Sequence, residues 1–136
     1  MDWKDDFSVG ITELDVQHRG LVSCVTEIGA STASNADFEL SSSLTKFISL
    51  LGTHFSTEER LMRTFKYPDV VAHTAEHHEL LADLMATDLN SLPAPKPQAL
   101  AEYLGKWLAN HFEEDKHYTA YFSSILGKKI DELSKK

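Results

Sequence analysis

The 136-residue sequence predicts an all-α fold, an antiparallel up-down-up-down four-helix bundle with an N-terminal arm and a short C-terminal helical segment. Apolar residues recur at three- and four-residue intervals through most of the chain, and no stretch keeps the alternation of a half-buried strand. Where that period fails, the sequence supplies residues that stop helices: Ser31 to Ala36, Lys66-Tyr67-Pro68-Asp69, and Asn90 to Pro97. Helices of about 20 residues, each ~30 Å long and joined by short connections, pack by default as antiparallel neighbours.

The first helix is expected from about Thr12 to Ala30, with Leu14, His18, Leu21, Val22, Val25 and Ile28 on one side. Asp37 is a plausible N-cap for the second, whose stripe holds Leu44, Phe47, Leu51, His54, Phe55, Glu58 and Met62. Pro68 disfavours helix at the residue before it and fits the first turn of a new one, so the chain reverses there. The third helix then begins near Asp69 and carries Val70, His73, His77, Leu80, Leu81 and Leu84. Pro93, Pro95 and Pro97 cannot continue it. A fourth helix follows from about Gln98 through Leu104 and Trp107 to His111, and Tyr118 to Leu126, with Ile130 and Leu133 beyond Gly127, reads as a short capping helix. Together these make one domain over residues 1–136.

Seven side chains within those stripes bind metals well: His18, His54, Glu58, His73, His77, His111 and Asp115. His54 and Glu58 are four apart, as are His73 and His77, which stacks each pair on one helix face. A reversal midway between the two pairs brings them together. Any one such pair is more often a solvated surface feature. Here, however, the histidines sit among apolar residues, as in Leu50-Leu51-Gly52-Thr53-His54-Phe55 and Trp107-Leu108-Ala109-Asn110-His111-Phe112. Buried polar groups need partners, and a shared metal would supply them. Imidazole suits transition metals while carboxylates bridge hard cations, so a His-rich, carboxylate-poor set favours a non-haem iron pair.

The formal net charge of −8 argues against nucleic acid as a partner, since phosphate binding needs clustered Lys and Arg. No apolar run approaches the ~18 residues of a membrane span, and the start Met1-Asp2-Trp3-Lys4-Asp5-Asp6 lacks the regions of a signal peptide. A cytoplasmic protein is the expectation. The only cysteine, Cys24, lies in an apolar helical stretch and reads as core.

At this point the chain resembles the hemerythrin family, in its single-domain bacterial form. The resemblance rests on Phe7-Ser8-Val9-Gly10 leading to Asp15-Val16-Gln17-His18, on His54-Phe55-Ser56-Thr57-Glu58, on Tyr67-Pro68 leading to His73-Thr74-Ala75-Glu76-His77, and on Trp107-Leu108-Ala109-Asn110-His111. It implies two non-haem iron ions with an oxo or hydroxo bridge. His73, His77 and His111 would hold one, His18 and His54 the other, and Glu58 with Asp115 would span both. The position left open on the second iron is where dioxygen would bind reversibly. Leu108 matches the family leucine beside that position, and Trp107 and Phe55 would complete an apolar wall.

One departure from the family pattern concerns Asp115. The family separates the fourth-helix histidine and aspartate by five residues, whereas His111 and Asp115 are four apart. Asp115 is the expected bridge because Asp115-Lys116-His117-Tyr118 continues like the family's Asp-x-x-Tyr, with Glu114 in reserve. His78 and His117 have no counterpart among the family's ligands and read as solvated. The resemblance implies an oxygen carrier, store or sensor that is no enzyme. It would be a monomer, with dioxygen as ligand and an oxygen-consuming protein as candidate recipient. The competing expectation is a di-iron enzyme acting as a peroxidase or as a scavenger of nitric oxide or peroxide.

Overall fold

The computed structural model describes residues 1–31 and 37–134, and the side chains of all these except 37, 38, 123 and 126–134. Four helices carry the fold: α1 (Thr12–Gly29), α2 (Asp37–Thr64), α3 (Val70–Met85) and α4 (Lys96–Ser134). Single 3-10 turns at Asp5–Phe7 and Leu89–Ser91 precede α1 and α4, and no strand occurs among the described residues. None of the helices among those residues is long and apolar enough to cross a membrane.

Contacts between helices fix their directions. Along α1, Glu13 pairs with Arg60, Gln17 with Thr57, His18 with His54 and Glu27 with Lys46, so α2 runs the other way. His73 lies beside Tyr118 and His77 beside His111, which sets α3 against α4. Phe55 beside Trp107 and Phe65 beside Phe122 make α2 and α4 parallel. That is the up-down-up-down bundle expected from short connections. The α1–α4 contact depends on a small residue, because a Cβ on Gly29 would come within 3.2 Å of the Ala101 Cβ.

Two apolar clusters fill the interior. The larger joins Leu21, Val25 and Ile28 of α1 to Phe47, Leu51 and Phe55 of α2 and Leu100, Leu104 and Leu108 of α4. The smaller holds Met62, Tyr118 and Phe122, with Tyr67 packed against it. Burying these side chains is the main drive for the fold. Cys24 belongs to the larger cluster, and burial pushes its thiol pKa up.

Local chemistry sets the helix ends. At the end of α2 the Tyr67 amide donates to the Met62 carbonyl at 2.8 Å and the Lys66 amide to Arg63 at 3.2 Å, a Schellman cap. Lys66 takes the left-handed conformation this cap requires, with φ 55°. Pro68 follows, and α3 starts at Val70 with Asp69 in the cap position. Asp37 is the first helical residue of α2 rather than its cap, and the Ser31 to Ala36 loop lies, after Ser31, outside the described residues.

The two helical segments expected after Gln98 are one. α4 is continuous over 39 residues, about 58 Å at 1.5 Å per residue, and the C-terminal segment is its unbroken extension through Gly127. The expected gap between His111 and Tyr118 is absent because Phe112-Glu113-Glu114-Asp115-Lys116-His117 holds no proline or glycine, and the single Gly127 farther on costs only about 1 kcal/mol relative to alanine.

Ahead of α1, the arm is strapped across α1 and α4. Phe7 packs edge-on to Trp3 and 5.0 Å from Phe112, the Arg19 guanidinium lies 4.2 Å over Trp3, and Lys116 reaches Asp6 at 3.1 Å. Asp15 in the first turn of α1 holds the arm's return, accepting from the Ser8 hydroxyl at 2.6 Å and the Val9 amide at 2.7 Å.

Candidate metal centre

Between the two apolar clusters, the helices turn a set of nitrogen and oxygen atoms toward one another. Ligand atoms of His18, His54, Glu58 and Asp115 all lie within 4.8 Å of each other, and all four residues are buried. His77 and His111 join them. Glu58 Oε1 is 2.5 Å from His54 Nε2 and 3.5 Å from His111 Nε2, while Oε2 is 3.2 Å from His77 Nε2. Asp115 Oδ2 faces the Nε2 atoms of His18, His54 and His111 at 2.9, 3.2 and 3.1 Å.

The remaining ring nitrogens explain why these Nε2 atoms face inward. His18 Nδ1 is 3.2 Å from the Phe7 carbonyl, His54 Nδ1 is 2.9 Å from Gln17 Oε1, and His77 Nδ1 is 3.3 Å from Glu59 Oε2. Each acceptor requires the proton to be on Nδ1. In a neutral ring, the lone pair then sits on Nε2 and points at carboxylate oxygens that also carry lone pairs. Such an arrangement needs a cation at its centre, and outer acceptors of this kind are what orient histidine ligands. Consistent with this, both Glu58 oxygens and both His111 nitrogens are buried without a well-aligned hydrogen bond among the described residues, although Glu58 Oε1 and Asp115 Oδ2 lie close to imidazole nitrogens. The donor set therefore fits a bound transition metal.

Without metal, protons take the cation's part. Burial disfavours charge on His54 and His111, but Glu58 and Asp115 outweigh it, raising His54 and lifting His111 well above the ordinary 6.5. Burial likewise opposes ionisation of Glu58 and Asp115, yet the facing histidines hold Glu58 well below 4.5 and Asp115 below 3.8. Tyr118 donates its hydroxyl to Asp115 Oδ1 at 2.6 Å. Burial and then the Glu58 and Asp115 charges push its pKa well above 10.

The seventh expected ligand is placed differently. His73 is half-buried, its Nδ1 is 3.7 Å from the exposed Glu76 carboxylate, and its ring lies beside Tyr67 and Tyr118, bordering the cluster. Glu114 is exposed and lines a cleft with Glu76, Glu79, Leu80 and Asp83, while Asp115 is fully buried. His78 and His117 are exposed. Of the expected wall, Phe55 stacks on His77 at 3.9 Å, Trp107 stacks on His111 at 5.3 Å, and Leu108 is fully buried in the larger apolar cluster.

Sequence reasoning missed Gln17, Thr57 and Glu59 as working residues. Gln17 spans from His54 to the Thr57 hydroxyl, 2.8 Å from its Nε2, and so fixes both ends of its amide. The available signal was that a buried histidine ligand needs an acceptor for its second nitrogen, and polar residues beside His18 and Glu58 were the candidates.

Fold and site together define a helical-bundle metal-binding protein. The family model described as the hemerythrin HHE cation binding domain matches residues 9–121, and the chain belongs to the hemerythrin family. It is 32% identical over 111 residues to myohemerythrin-1 of Phascolopsis gouldii, covering 82% of this chain and 84% of that one. It is 28% identical over 111 residues to the myohemerythrin of Riftia pachyptila, covering 82% and 83% of the two chains. It is 29% identical over 117 residues to the bacteriohemerythrin of Methylococcus capsulatus, covering 83% and 88%.

Proposed function

We propose that this chain binds dioxygen reversibly at a non-haem di-iron centre held by His18, His54, Glu58, His73, His77, His111 and Asp115. It acts as an oxygen carrier, store or sensor rather than an enzyme. The observation that carries this reading is the position of the two carboxylates. Glu58 touches His54 of one histidine group and His77 and His111 of the other. Asp115 touches His18 and His54 of the first group and His111 of the second. A carboxylate in contact with both groups is what a bridge between two cations needs.

Two non-haem iron ions held by these residues, with an oxo or hydroxo group between them, would supply the reversible electron transfer that dioxygen binding requires. The protein's part is to orient and to keep dry. The Phe7 carbonyl, Gln17 and Glu59 hold the imidazoles of His18, His54 and His77 in one tautomer. Phe55, Trp107 and Leu108 form an apolar wall that excludes water from the reacting ligand. The Tyr118 hydroxyl beside Asp115 is committed as a hydrogen-bond donor to that carboxylate. That favours binding over proton-coupled turnover. The proposal extends to a monomer in the cytoplasm with an oxygen-consuming protein as recipient; the buried, unpaired Cys24 suits a reducing compartment.

Metal analysis together with the visible spectrum of the reduced protein before and after admitting air tests this. Two irons per chain and an oxygen-dependent band that degassing removes are expected. One ion per chain, zinc at full occupancy after iron-replete growth, or a spectral change that degassing cannot reverse would overturn it.

A further inference from the structure

The acceptors behind the histidines are of unequal charge. His18 faces a backbone carbonyl and His54 a side-chain amide oxygen, both neutral, while His77 faces the Glu59 carboxylate at 3.3 Å. The His111 Nδ1 has no partner, and its ring rests on Trp107. Behind His73 stands Glu76, whose side chain is 60% exposed and whose oxygen is 3.7 Å away, too far for a hydrogen bond and screened by water. Glu59 is only 9% exposed, so its charge acts on His77 with little screening.

We propose that Glu59 makes the two metal positions unequal, strengthening His77 as a donor and lowering the reduction potential of the iron it holds relative to the iron held by His18 and His54. This rests on the di-iron reading above. An Nδ1–H donated to a carboxylate gives the ring imidazolate character, which raises electron density at Nε2 and stabilises the ferric ion over the ferrous one. Phe55, stacked on the His77 ring 3.9 Å away with an interplanar angle of 1°, fixes the plane of the ring, while Glu59 fixes its tautomer and adds a charge that a neutral acceptor would not.

The test compares the iron-loaded wild type with Glu59→Gln, which keeps an acceptor oxygen and removes the charge. Stepwise reduction of the diferric protein is followed spectroscopically, and iron release to a chelator is timed on the same samples. In the variant one reduction step should move to higher potential, and one of two release phases should quicken by about 10–100-fold, with the other step and phase unchanged. Gln17→Glu, which puts a carboxylate behind His54, should instead lower the other step and narrow the gap; it serves equally if Glu59→Gln does not fold. Two irons with unaltered steps in the variants, or with both steps shifted alike, overturn this inference and leave the di-iron reading standing. One iron per chain overturns both.

Discussion

Tyr118 donates its hydroxyl to Asp115 Oδ1 across 2.6 Å, leaving Asp115 Oδ2 free to face three imidazoles. The two residues are three apart on α4, the spacing that sets side chains on one helix face. Both are buried, so the bond is shielded from water. Tyr118→Phe removes the donor and leaves a buried anionic oxygen without it, which should lower stability by about 1–3 kcal/mol. Chemical denaturation of the metal-free protein reads this directly, and an unchanged midpoint would contradict it.

Above about pH 6.5, stability should depend on pH in opposite senses with and without metal. In the metal-free protein His54 and His111 have raised pKa values, so their contribution is complete below about pH 6.5 and is lost as pH rises through the folded values. Glu58 and Asp115 have lowered values, so theirs is complete above about pH 4.5 and is lost as pH falls through the folded values. Metal-free stability therefore peaks between those limits. Metal ligation needs deprotonated imidazole, so metal retention should strengthen as pH rises through the histidine range. Melting temperatures across this range, with and without metal, should diverge toward high pH; parallel profiles would refute the coupling.

His73 and His78 separate a ligand from a solvated histidine on the same helix. His73→Ala should lose much of the iron and the oxygen-linked spectrum, because the di-iron reading assigns it to the iron shared with His77. The exposed His78 should tolerate alanine with both retained. Metal analysis of the two variants decides, and iron loss from His78→Ala would mean that the ligand set is wrong.

Much of this architecture was legible because helices print their period in the sequence. The stripe through Leu44, Phe47, Leu51, His54 and Phe55 is buried where the period puts it, and Pro68 sits just beyond the end of α2. The length of α4 was not legible. A break was expected between His111 and Tyr118, where the charged run Glu113-Glu114-Asp115-Lys116 interrupts the apolar stripe, but that run holds no proline or glycine and the helix passes through it. The outer acceptors were hidden for another reason. Glu59 and Gln17 act on histidines 18 and 37 residues away, and no local pattern encodes which polar side chain will meet a ring nitrogen across a helix interface. His73 illustrates the limit from the other side: spacing puts it on the face of His77, but the structure leaves it half-buried beside Tyr118.

Leu108 tests the apolar wall. It is fully buried in the larger apolar cluster, one turn of α4 before His111, so Leu108→Ala should cost about 2–5 kcal/mol in stability and leave a cavity there. Water admitted there should hasten irreversible oxidation of the oxygen-loaded protein. The decay of the oxygen-dependent band in air, measured well below the variant's melting temperature, reports this apart from unfolding. An unchanged decay rate would remove Leu108 from the wall.

Asp115 and Glu114 are adjacent and differ in direction. Four steps from His111 turn a helix through about 400°, leaving Asp115 within ~40° of the histidine, while three steps leave Glu114 about 60° to the other side. The structure accordingly puts Asp115 Oδ2 3.1 Å from His111 Nε2 and leaves Glu114 exposed. A four-residue spacing is thus met by a regular helix, with no widened turn needed. Asp115→Asn keeps the shape and removes the charge from a buried carboxylate that faces three imidazoles. It should weaken iron retention and destabilise the diferric form. Glu114→Gln should change neither, since its carboxylate lies in the cleft with Glu76, Glu79 and Asp83. Iron content and the rate of iron loss to a chelator, measured on the pair, separate the two residues. Retention that survives Asp115→Asn and fails with Glu114→Gln would hand the bridge to Glu114 and require α4 to turn from the orientation described here.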